Sequence, residues 1–409
     1  MPLPPGFGPL WVTVAIDLVG FGIVLPILPR YAEDLEITPT VIGLLVASYS
    51  VAQMICSPLL GRLSDRIGRK PVLILSLCGT AAGSLLTGLA GTVWLLFLGR
   101  IVDGASGASV SVAQAAVADV ATPEERPRLL GLLGAAFGVG FVVGPAIGTL
   151  AALGGPHIPF LVAAVISSTN ALVAVRRLPE THPMVRARSA EPIDGPAIEI
   201  APSSAGLGGA VPRGARQLLL VAFVALFAFS GFETTFSLLM KDRFDLTLSS
   251  TGAVFTVIGL ALVLVQGGLI HPVHGRLGER GTLRAGLALN AVGLCLLAAD
   301  GQWLTLVPAL ALLVLGQGLV TPTMSSAVAA QAGPADRGRL LGFQQSAGAL
   351  ARAVGPAAAG VLYDRVAVPA PYLLGAALVA VAFALVPGGA AVAPVAPVAD
   401  PGAAEPVVT

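Results

Sequence analysis

The chain has 409 residues, of which 55% are hydrophobic and 11% are charged, and its formal net charge is +1. This composition excludes an ordinary soluble domain, in which about 25% of residues are charged. The near-neutral charge gives no reason to expect a nucleic-acid partner. Cys56, Cys78 and Cys295 lie in separate apolar runs without paired spacing, so neither disulfides nor a metal site is expected.

Apolar runs of the length that crosses a bilayer, about 20 residues, follow one another along the chain. They predict an all-α integral membrane protein with twelve transmembrane helices, at roughly 10–30, 41–61, 71–91, 94–116, 129–152, 157–176, 216–239, 249–271, 282–300, 303–327, 340–362 and 368–388. Residues 1–176 and 216–388 would each form a six-helix bundle. The Pro- and Ser-rich segment 177–215 is predicted to be a cytoplasmic linker, and 389–409 a disordered tail.

Asp17 lies midway along the first predicted span. An ionisable side chain at membrane depth is costly, so it is a functional hypothesis by default. Removal from water favours the neutral form of a carboxyl group, which suits a group that takes up and releases a proton. A permanent pair with Arg100 is the alternative, and the two roles are compatible.

The second and third spans are joined by the segment GRLSDRIGRK, residues 61–70. Asp65 precedes the amino end of the third span, where the helix dipole favours an anion, and basic residues stand beside it. We interpret the segment as a conformational latch on the cytoplasmic side, formed by Gly61, Asp65, Arg66, Gly68 and Arg69. The alternative is a set of basic residues that only fixes the topology or contacts lipid headgroups.

The fourth span carries a stripe of polar residues at helical spacing, which must face a cavity or another helix: Arg100, Asp103, Gly107, Ser111 and Gln114. Asp103 lies one turn from Arg100 and can pair with it, which lowers the cost of burying both charges. We expect Arg100 and Asp103 to take part in proton coupling and Gln114 to line the substrate cavity. A purely structural ion pair is the alternative.

Glycines recur on one face of the fifth span. Gly140, Gly144 and Gly148 are four residues apart, with Pro145 beside them and Gly131 upstream. Small residues at this spacing let a neighbouring helix approach at backbone distance, and a proline is tolerated in a membrane helix. The pattern predicts a close-packed, slightly bent helix.

The seventh span carries Glu233 on the same face as Ser230, with phenylalanines nearby. An acid beside aromatic rings is typical of a site for lipophilic ligands, and Arg352 of the eleventh span is its expected counter-charge. The alternative is a glutamate in solvent near the helix end. We predict Ser230, Phe236 and Gln317 as further residues of the substrate cavity.

The chain contains an internal repeat. Arg126 and Gly144-Pro145 recur as Arg337 and Gly355-Pro356, offset by 211 residues, and GRLSDRIGRK is answered by GRLGERG at 275–281. Duplicated halves that rock about a midplane site are typical of secondary transporters. The repeat predicts two pseudo-symmetric six-helix halves, and the concentration of arginine in alternate loops predicts that both termini are cytoplasmic.

Several of these motifs resemble those of the major facilitator superfamily. GRLSDRIGRK resembles the loop between its second and third helices, and the glycines with Pro145 resemble the antiporter motif of its fifth helix. The segment GRIVDGASGA, residues 99–108, resembles the fourth-helix motif whose arginine is associated with proton coupling. The segment from Asp17 to Pro29 is similar to the twelve-helix drug:proton antiporter branch, and to tetracycline exporters in particular.

Two positions depart from that branch. Tetracycline exporters have an acid in the third helix and another in the ninth, where this chain has Gly83 and Asn290. We therefore leave the substrate open, and Asp103 and Glu233 would supply the chemistry of the two missing acids. The resemblance also implies that helices one, four, seven and ten line the cavity.

The resemblance implies a proton-coupled antiporter that exports small lipophilic drug-like or metabolite molecules across a bacterial cytoplasmic membrane by alternating access. It would need no cofactor beyond the proton gradient, act as a monomer, and have the substrate, protons and membrane lipids as partners. A sugar or metabolite exporter, or an importer, is the alternative within this fold. A membrane-embedded sensor or enzyme is disfavoured, because the chain has no catalytic or phosphate-binding motif.

Overall fold

The computed structural model describes residues 3–4, 6–121, 125–182, 211–299, 302–331 and 337–387. Within these ranges every regular element is a helix: α1 Phe7–Glu33, α2 Pro39–Ile67, α3 Arg69–Gly88, α4 Val93–Ser106, α5 Ser109–Val120, α6 Arg126–Ala152, α7 Ile158–Arg177, α8 Arg213–Phe244, α9 Leu248–Leu264, a π-helical turn Val265–Leu269, α10 Ile270–Ala298, α11 Trp303–Ala330, α12 Arg337–Arg365 and α13 Ala370–Leu385. Most of the predicted linker and the whole predicted tail lie outside the described residues.

Nine helical stretches of the described chain are long and apolar enough to cross a membrane. One of them, Leu248–Ala298, has 51 residues and would be about 75 Å long if straight, more than twice the thickness of the hydrocarbon core. Gly278 interrupts this stretch with a positive φ of 67°, a backbone conformation that glycine adopts without steric cost. The interruption divides the stretch into two lengths that can each cross the membrane. With α12 and α13, the helices are consistent with the twelve predicted spans, and the all-α membrane fold is confirmed.

The predicted fourth span is two helices in this structure. α4 ends at Ser106 and α5 begins at Ser109, and Gly107 leaves helical geometry with ψ 44°. The polar periodicity of the sequence had predicted one continuous helix. The second predicted span also differs, because α2 continues through most of the latch segment to Ile67 before Gly68 turns the chain.

The duplicated glycines make equivalent helix contacts in the two halves. In the first half, a Cβ atom added at Gly144 of α6 would lie 2.6 Å from the Cα atom of Gly22 in α1. In the second half, a Cβ atom at Gly355 of α12 would lie 2.7 Å from the carbonyl oxygen of Phe227 in α8. Both distances are shorter than van der Waals contact, so glycine is required for these helices to meet.

Two buried apolar clusters form the cores of the bundle. The members of one cluster come from the first half of the chain, from Phe7 to Leu178, and those of the other come from the second half, from Ala215 to Val386. A third cluster includes residues from both parts, among them Ile23 of α1 and Leu238 of α8. Apolar packing therefore continues from one half to the other at this third cluster.

The two halves meet at the helix ends opposite the latch segment, which we call the outer end. There Lys241 Nζ of α8 lies 2.8 Å from Glu33 Oε1 of α1, and Thr40 Oγ1 donates to Asp364 Oδ2 at 2.5 Å. Gly252 of α9 packs against the side chain of Thr149 in α6 at the same end. Polar bonds and close helix packing thus seal the outer end.

The helices are more open at the other end, which we call the latch end. A Cβ atom added at Gly131, Gly134 or Gly342 would meet no atom of the described residues within 4 Å. These glycines belong to α6 and α12, the helices that pack closely at their outer parts. α6 and α12 thus pack closely toward the outer end and have open space beside these glycines toward the latch end, which is the predicted cytoplasmic side.

Candidate proton and substrate pathway

The fourth span contributes a buried ion pair. Arg100 Nη1 donates to Asp103 Oδ2 at 2.9 Å, and the two side chains are only 4% and 9% exposed. The ring of Tyr49 from α2 lies beneath the guanidinium, 4.4 Å from Arg100 Cζ to the ring centroid. A carboxylate and an aromatic face together compensate the removal of the arginine from water.

Asp17 of α1 stands beside this pair but is bonded to another residue. Ser109 Oγ, at the amino end of α5, donates to Asp17 Oδ2 at 2.5 Å. The other oxygen, Oδ1, is buried and has no hydrogen-bond partner among the described residues. Because Arg100 is engaged by Asp103, the alternative pair of Asp17 with Arg100 is not formed in this conformation.

Charges of the second half reach the same region. Glu233 of α8 and Arg352 of α12 interact electrostatically with each other. Tyr49 lies within electrostatic range of Asp17, Asp103 and Arg100 from the first half and of Arg352 from the second. The structure therefore brings four of the five predicted charged residues within range of Tyr49, and Glu233 joins them through Arg352. Tyr49 itself could not be selected from the sequence pattern.

Gln114 and Ser230, two of the predicted substrate residues, differ in their surroundings. Gln114 is half-buried on α5, five residues after Ser109. Ser230 Oγ donates to the carbonyl oxygens of Phe227 and Ala351 at 3.2 and 3.3 Å, so it joins α8 to α12. The hydroxyl of Ser230 is thus used in helix packing in this conformation.

Phe236 and Gln317 lie inside the second half. The Phe236 ring is fully buried and packs 5.0 Å from Phe232 and 5.4 Å from Phe255, centroid to centroid. Asn290 Nδ2 donates to Gln317 Oε1 at 3.4 Å. These two predicted cavity residues therefore belong to the packed interior, because neighbouring helices supply partners that the local pattern does not reveal.

The latch residues form a compact bonded cluster. Arg69 Nη1 donates to Asp65 Oδ1 at 2.6 Å and to Ser64 Oγ at 2.7 Å, while its Nε donates to Asp119 Oδ2 at 2.8 Å. Arg69 is buried, whereas Asp65 and Arg66 are exposed. Arg69 thus joins the end of α2 to the end of α5, and one face of Asp65 remains free to meet another partner.

A second acid, Glu180, completes this cluster. Its carboxylate accepts hydrogen bonds from the backbone N–H groups of Arg69 and Lys70, at 2.8 and 3.1 Å, and so caps the amino end of α3. It lies against Gly68, whose φ of 104° and lack of a side chain leave room for the carboxylate. Glu180 and Asp119 could not be predicted as partners from the sequence, because they lie far from the latch segment in the chain.

These features define a class of protein: a polytopic helical membrane transporter with duplicated halves and a charged centre between them. The chain matches the Major Facilitator Superfamily over residues 10–276 and 218–406, and it belongs to that family. It is 33% identical over 355 residues to the tetracycline resistance protein, class C, of Escherichia coli, covering 86% of this chain and 88% of that protein.

Two further similarities support the same assignment. The chain is 27% identical to multidrug resistance protein 2 of Bacillus subtilis (strain 168), with 86% and 87% of the two chains covered. The crystal structure of the human organic anion transporter MFSD10 (TETRAN) matches with a TM-score of 0.69 and 27% identity, covering 94% of this chain and 100% of that one. The predicted membership of the superfamily and of its drug-efflux branch is confirmed.

The two departures from tetracycline exporters have structural counterparts. A Cβ atom at Gly83 of α3 would lie 2.6 Å from Asp103 Cβ, so α3 and α4 meet where any larger side chain would collide. Asn290 is buried beside Gln317 and Gly316. Neither position therefore places a carboxylate in the pathway.

Proposed function

We propose that this protein is a proton-driven antiporter that exports small, lipophilic, drug-like molecules from the bacterial cytoplasm by alternating access. The observation that carries the proposal is the Asp17 carboxylate, which lies beside the Arg100–Asp103 pair. One of its oxygens is bonded, and the other has no hydrogen-bond partner in the part of the chain that the structure describes. The similarity of the chain to tetracycline and multidrug resistance proteins supports a drug-like substrate.

The cycle begins in the conformation described above. Substrate enters from the latch end and contacts the region of Tyr49 and Gln114, while Asp17 is ionised. Closure of the latch end and opening of the outer end require that the Glu33–Lys241 and Thr40–Asp364 bonds break. Substrate then leaves, a proton from outside binds the Asp17 carboxylate, and the neutral carboxyl group carries that proton inward.

The latch would act at the cytoplasmic side of this cycle. Asp65 is bonded to Arg69 on one side and exposed on the other. When the latch end closes, the free face of Asp65 becomes available to the second half. Loss of that contact would release the bundle toward the open conformation described here.

The proposal includes the setting of the protein. Both termini face the cytoplasm, and the protein lies in the cytoplasmic membrane. The proton gradient is the only driving force, so no cofactor takes part and no covalent chemistry occurs. A single chain suffices, because the pathway lies between two halves of one chain.

A second candidate substrate class is supported by one observation. Arg352 adds a second cation to the centre, and the structurally similar human protein MFSD10 is an organic anion transporter. An amphipathic anion would bind between Arg100 and Arg352, and transport would still be driven by protons through Asp17. The two candidates differ in the charge of the substrate and share the mechanism.

Everted membrane vesicles with an imposed acid interior test the proposal. Wild-type vesicles should accumulate a subset of a panel that contains tetracycline, a lipophilic cationic dye and a lipophilic organic anion, and should release protons as they do so. Asp17→Asn should insert normally and accumulate none of them. Asp34→Asn, a neutralised acid on an exposed loop position, is the matched control and should behave as wild type. Gradient-driven accumulation by Asp17→Asn equal to wild type would refute the proton role.

A further inference from the structure

The break in the fourth span places one serine against Asp17. α4 ends at Ser106 and α5 begins at Ser109, with Gly107 and Ala108 between them. Ser109 is buried, and its hydroxyl donates to Asp17 Oδ2 at 2.5 Å. If the helix continued through Gly107, the side chains of α5 would be rotated and shifted relative to α1. The break therefore determines which residue contacts the carboxylate.

Two neighbouring helices hold the break in place. Gln53 Nε2 of α2 donates to the carbonyl oxygen of Gly107 at 2.7 Å. Gly104, three residues earlier, lies directly against the α2 backbone, and Ser106 lies against Gly79 of α3. A carbonyl that leaves the helical ladder within a membrane needs such a donor. The interruption is thus a built feature of the bundle.

The environment of Asp17 is otherwise short of donors. Its Oδ1 atom has no partner among the described residues, and Arg100 is turned toward Asp103. The ionisable side chains around this centre are Arg100 and Asp103 on α4, Tyr49 on α2, Glu233 on α8 and Arg352 on α12. At this depth α6, α7 and α9 contribute only uncharged residues. Ser109 is therefore the hydrogen-bond donor that stabilises the ionised carboxylate.

We propose that Ser109 is a positioning residue for proton transfer at Asp17: it holds Oδ2 of the ionised carboxylate and leaves Oδ1 as the atom that receives the proton. This inference rests on the proposed role of Asp17 as proton carrier. A hydroxyl donor and the amino end of a helix both favour a negative charge. When Oδ1 is protonated, the charge and most of this attraction are lost. Protonation of Asp17 in α1 thus weakens its bond to Ser109 and so affects the fourth span, which carries Arg100 and Asp103.

Infrared difference spectra of the full-length protein in nanodiscs measure this without any transport step. The protonated carboxyl band that disappears in Asp17→Asn is followed as a function of pH. A hydrogen bond to a charged group contributes about tenfold or more to an equilibrium, so Ser109→Ala should raise the proton affinity of Asp17 by about tenfold. Its midpoint then moves to higher pH. Ser109→Thr should restore the wild-type midpoint.

Ser48→Ala is the matched control, because the Ser48 hydroxyl of α2 donates to the backbone carbonyl of Leu45 on its own helix. It should leave the midpoint unchanged. If Ser109→Ala does not fold, Ser109→Cys, which keeps the shape and weakens the donor, should give a smaller shift in the same direction.

Three results overturn the inference: an Asp17 proton affinity within twofold of wild type in the alanine variant (or no higher than wild type in the cysteine variant, where alanine does not fold), failure of threonine to restore the wild-type affinity, or an Asp17 band that does not titrate between about pH 4 and 9. Vesicle transport reports separately on the proposed function. A shifted band in a protein without proton-driven export would uphold the Ser109 contact and refute the antiporter role.

Discussion

Gly144 offers a direct test of the close contact between α6 and α1. A Cβ atom added there would lie 2.6 Å from Gly22 Cα and 2.8 Å from the carbonyl oxygen of Val19. Carbon atoms pack favourably at about 3.5–4.0 Å, so Gly144→Ala forces the two helices apart by about 1 Å. Both neighbours are backbone atoms, and no side chain can rotate to relieve the collision.

Two opposing effects decide the change in the free energy of unfolding: overpacking by the added methyl group and the higher helix propensity of alanine. Overpacking of this kind costs about 1–3 kcal/mol, whereas replacement of glycine by alanine within a helix gains roughly 0.5–1 kcal/mol. We expect Gly144→Ala to be destabilising by about 1–2 kcal/mol. Gly134→Ala on the same helix has open space around the added methyl group and should be neutral or slightly stabilising.

Thermal unfolding of the purified protein in detergent measures both variants side by side. The expected result is a lower melting temperature for Gly144→Ala, by a few degrees, and no loss for Gly134→Ala. Gly355→Ala, at the duplicated position in α12, should repeat the loss. If Gly144→Ala has the same melting temperature as Gly134→Ala, the helices do not meet at backbone distance and the reasoning is wrong.

Three further variants probe the latch and the charged centre. Arg69→Lys loses the planar fork that reaches two carboxylates at once, so vesicle export should fall severalfold while expression is kept. Arg62→Lys, at an exposed position that is not one of the latch residues, should export normally. Glu180→Gln replaces one of the two acceptor oxygens by a donor facing backbone N–H groups, which costs about 1–3 kcal/mol and should lower the melting temperature; an unchanged value would show that the cap contributes nothing. Tyr49→Leu removes the ring beneath the buried guanidinium, worth about 0.5–2 kcal/mol, and should impair export, whereas Tyr49→Phe keeps the ring and should retain most of it; equal loss in both would point to the hydroxyl.

Features with a local signature could be predicted from the sequence. Spans appear as apolar runs, and the glycines of α6 reveal a contact face because helical periodicity is local. The duplicated Gly144 and Gly355 show equivalent packing without any knowledge of the partners. Arg100 and Asp103, one turn apart, could be paired for the same reason.

Features that depend on another helix could not be predicted. The interruption after Ser106 is held by Gln53 from α2, and the chain around Gly107 has the periodicity of an uninterrupted helix. Glu180 caps α3 across 111 residues of sequence. The ring of Phe236 has the spacing of a cavity residue, and only its contact with Phe255 of the next helix shows that it is core.

The central claim is that the two ends of the bundle open in turn, and the outer ion pair allows a test that needs no substrate. Lys241→Glu places two carboxylates at the position of the bond with Glu33 and replaces attraction by repulsion. In a cysteine-free background, one spin-label pair at positions 38 and 366 reports on the outer end. A second pair at positions 134 and 342 reports on the latch end.

Double electron–electron resonance in nanodiscs then measures the distance between the two spin labels of each pair, with and without Lys241→Glu. Alternating access predicts that the outer distance lengthens and the latch-end distance shortens in the same samples. An outer end that opens while the latch-end distance stays the same, or lengthens, would contradict the account.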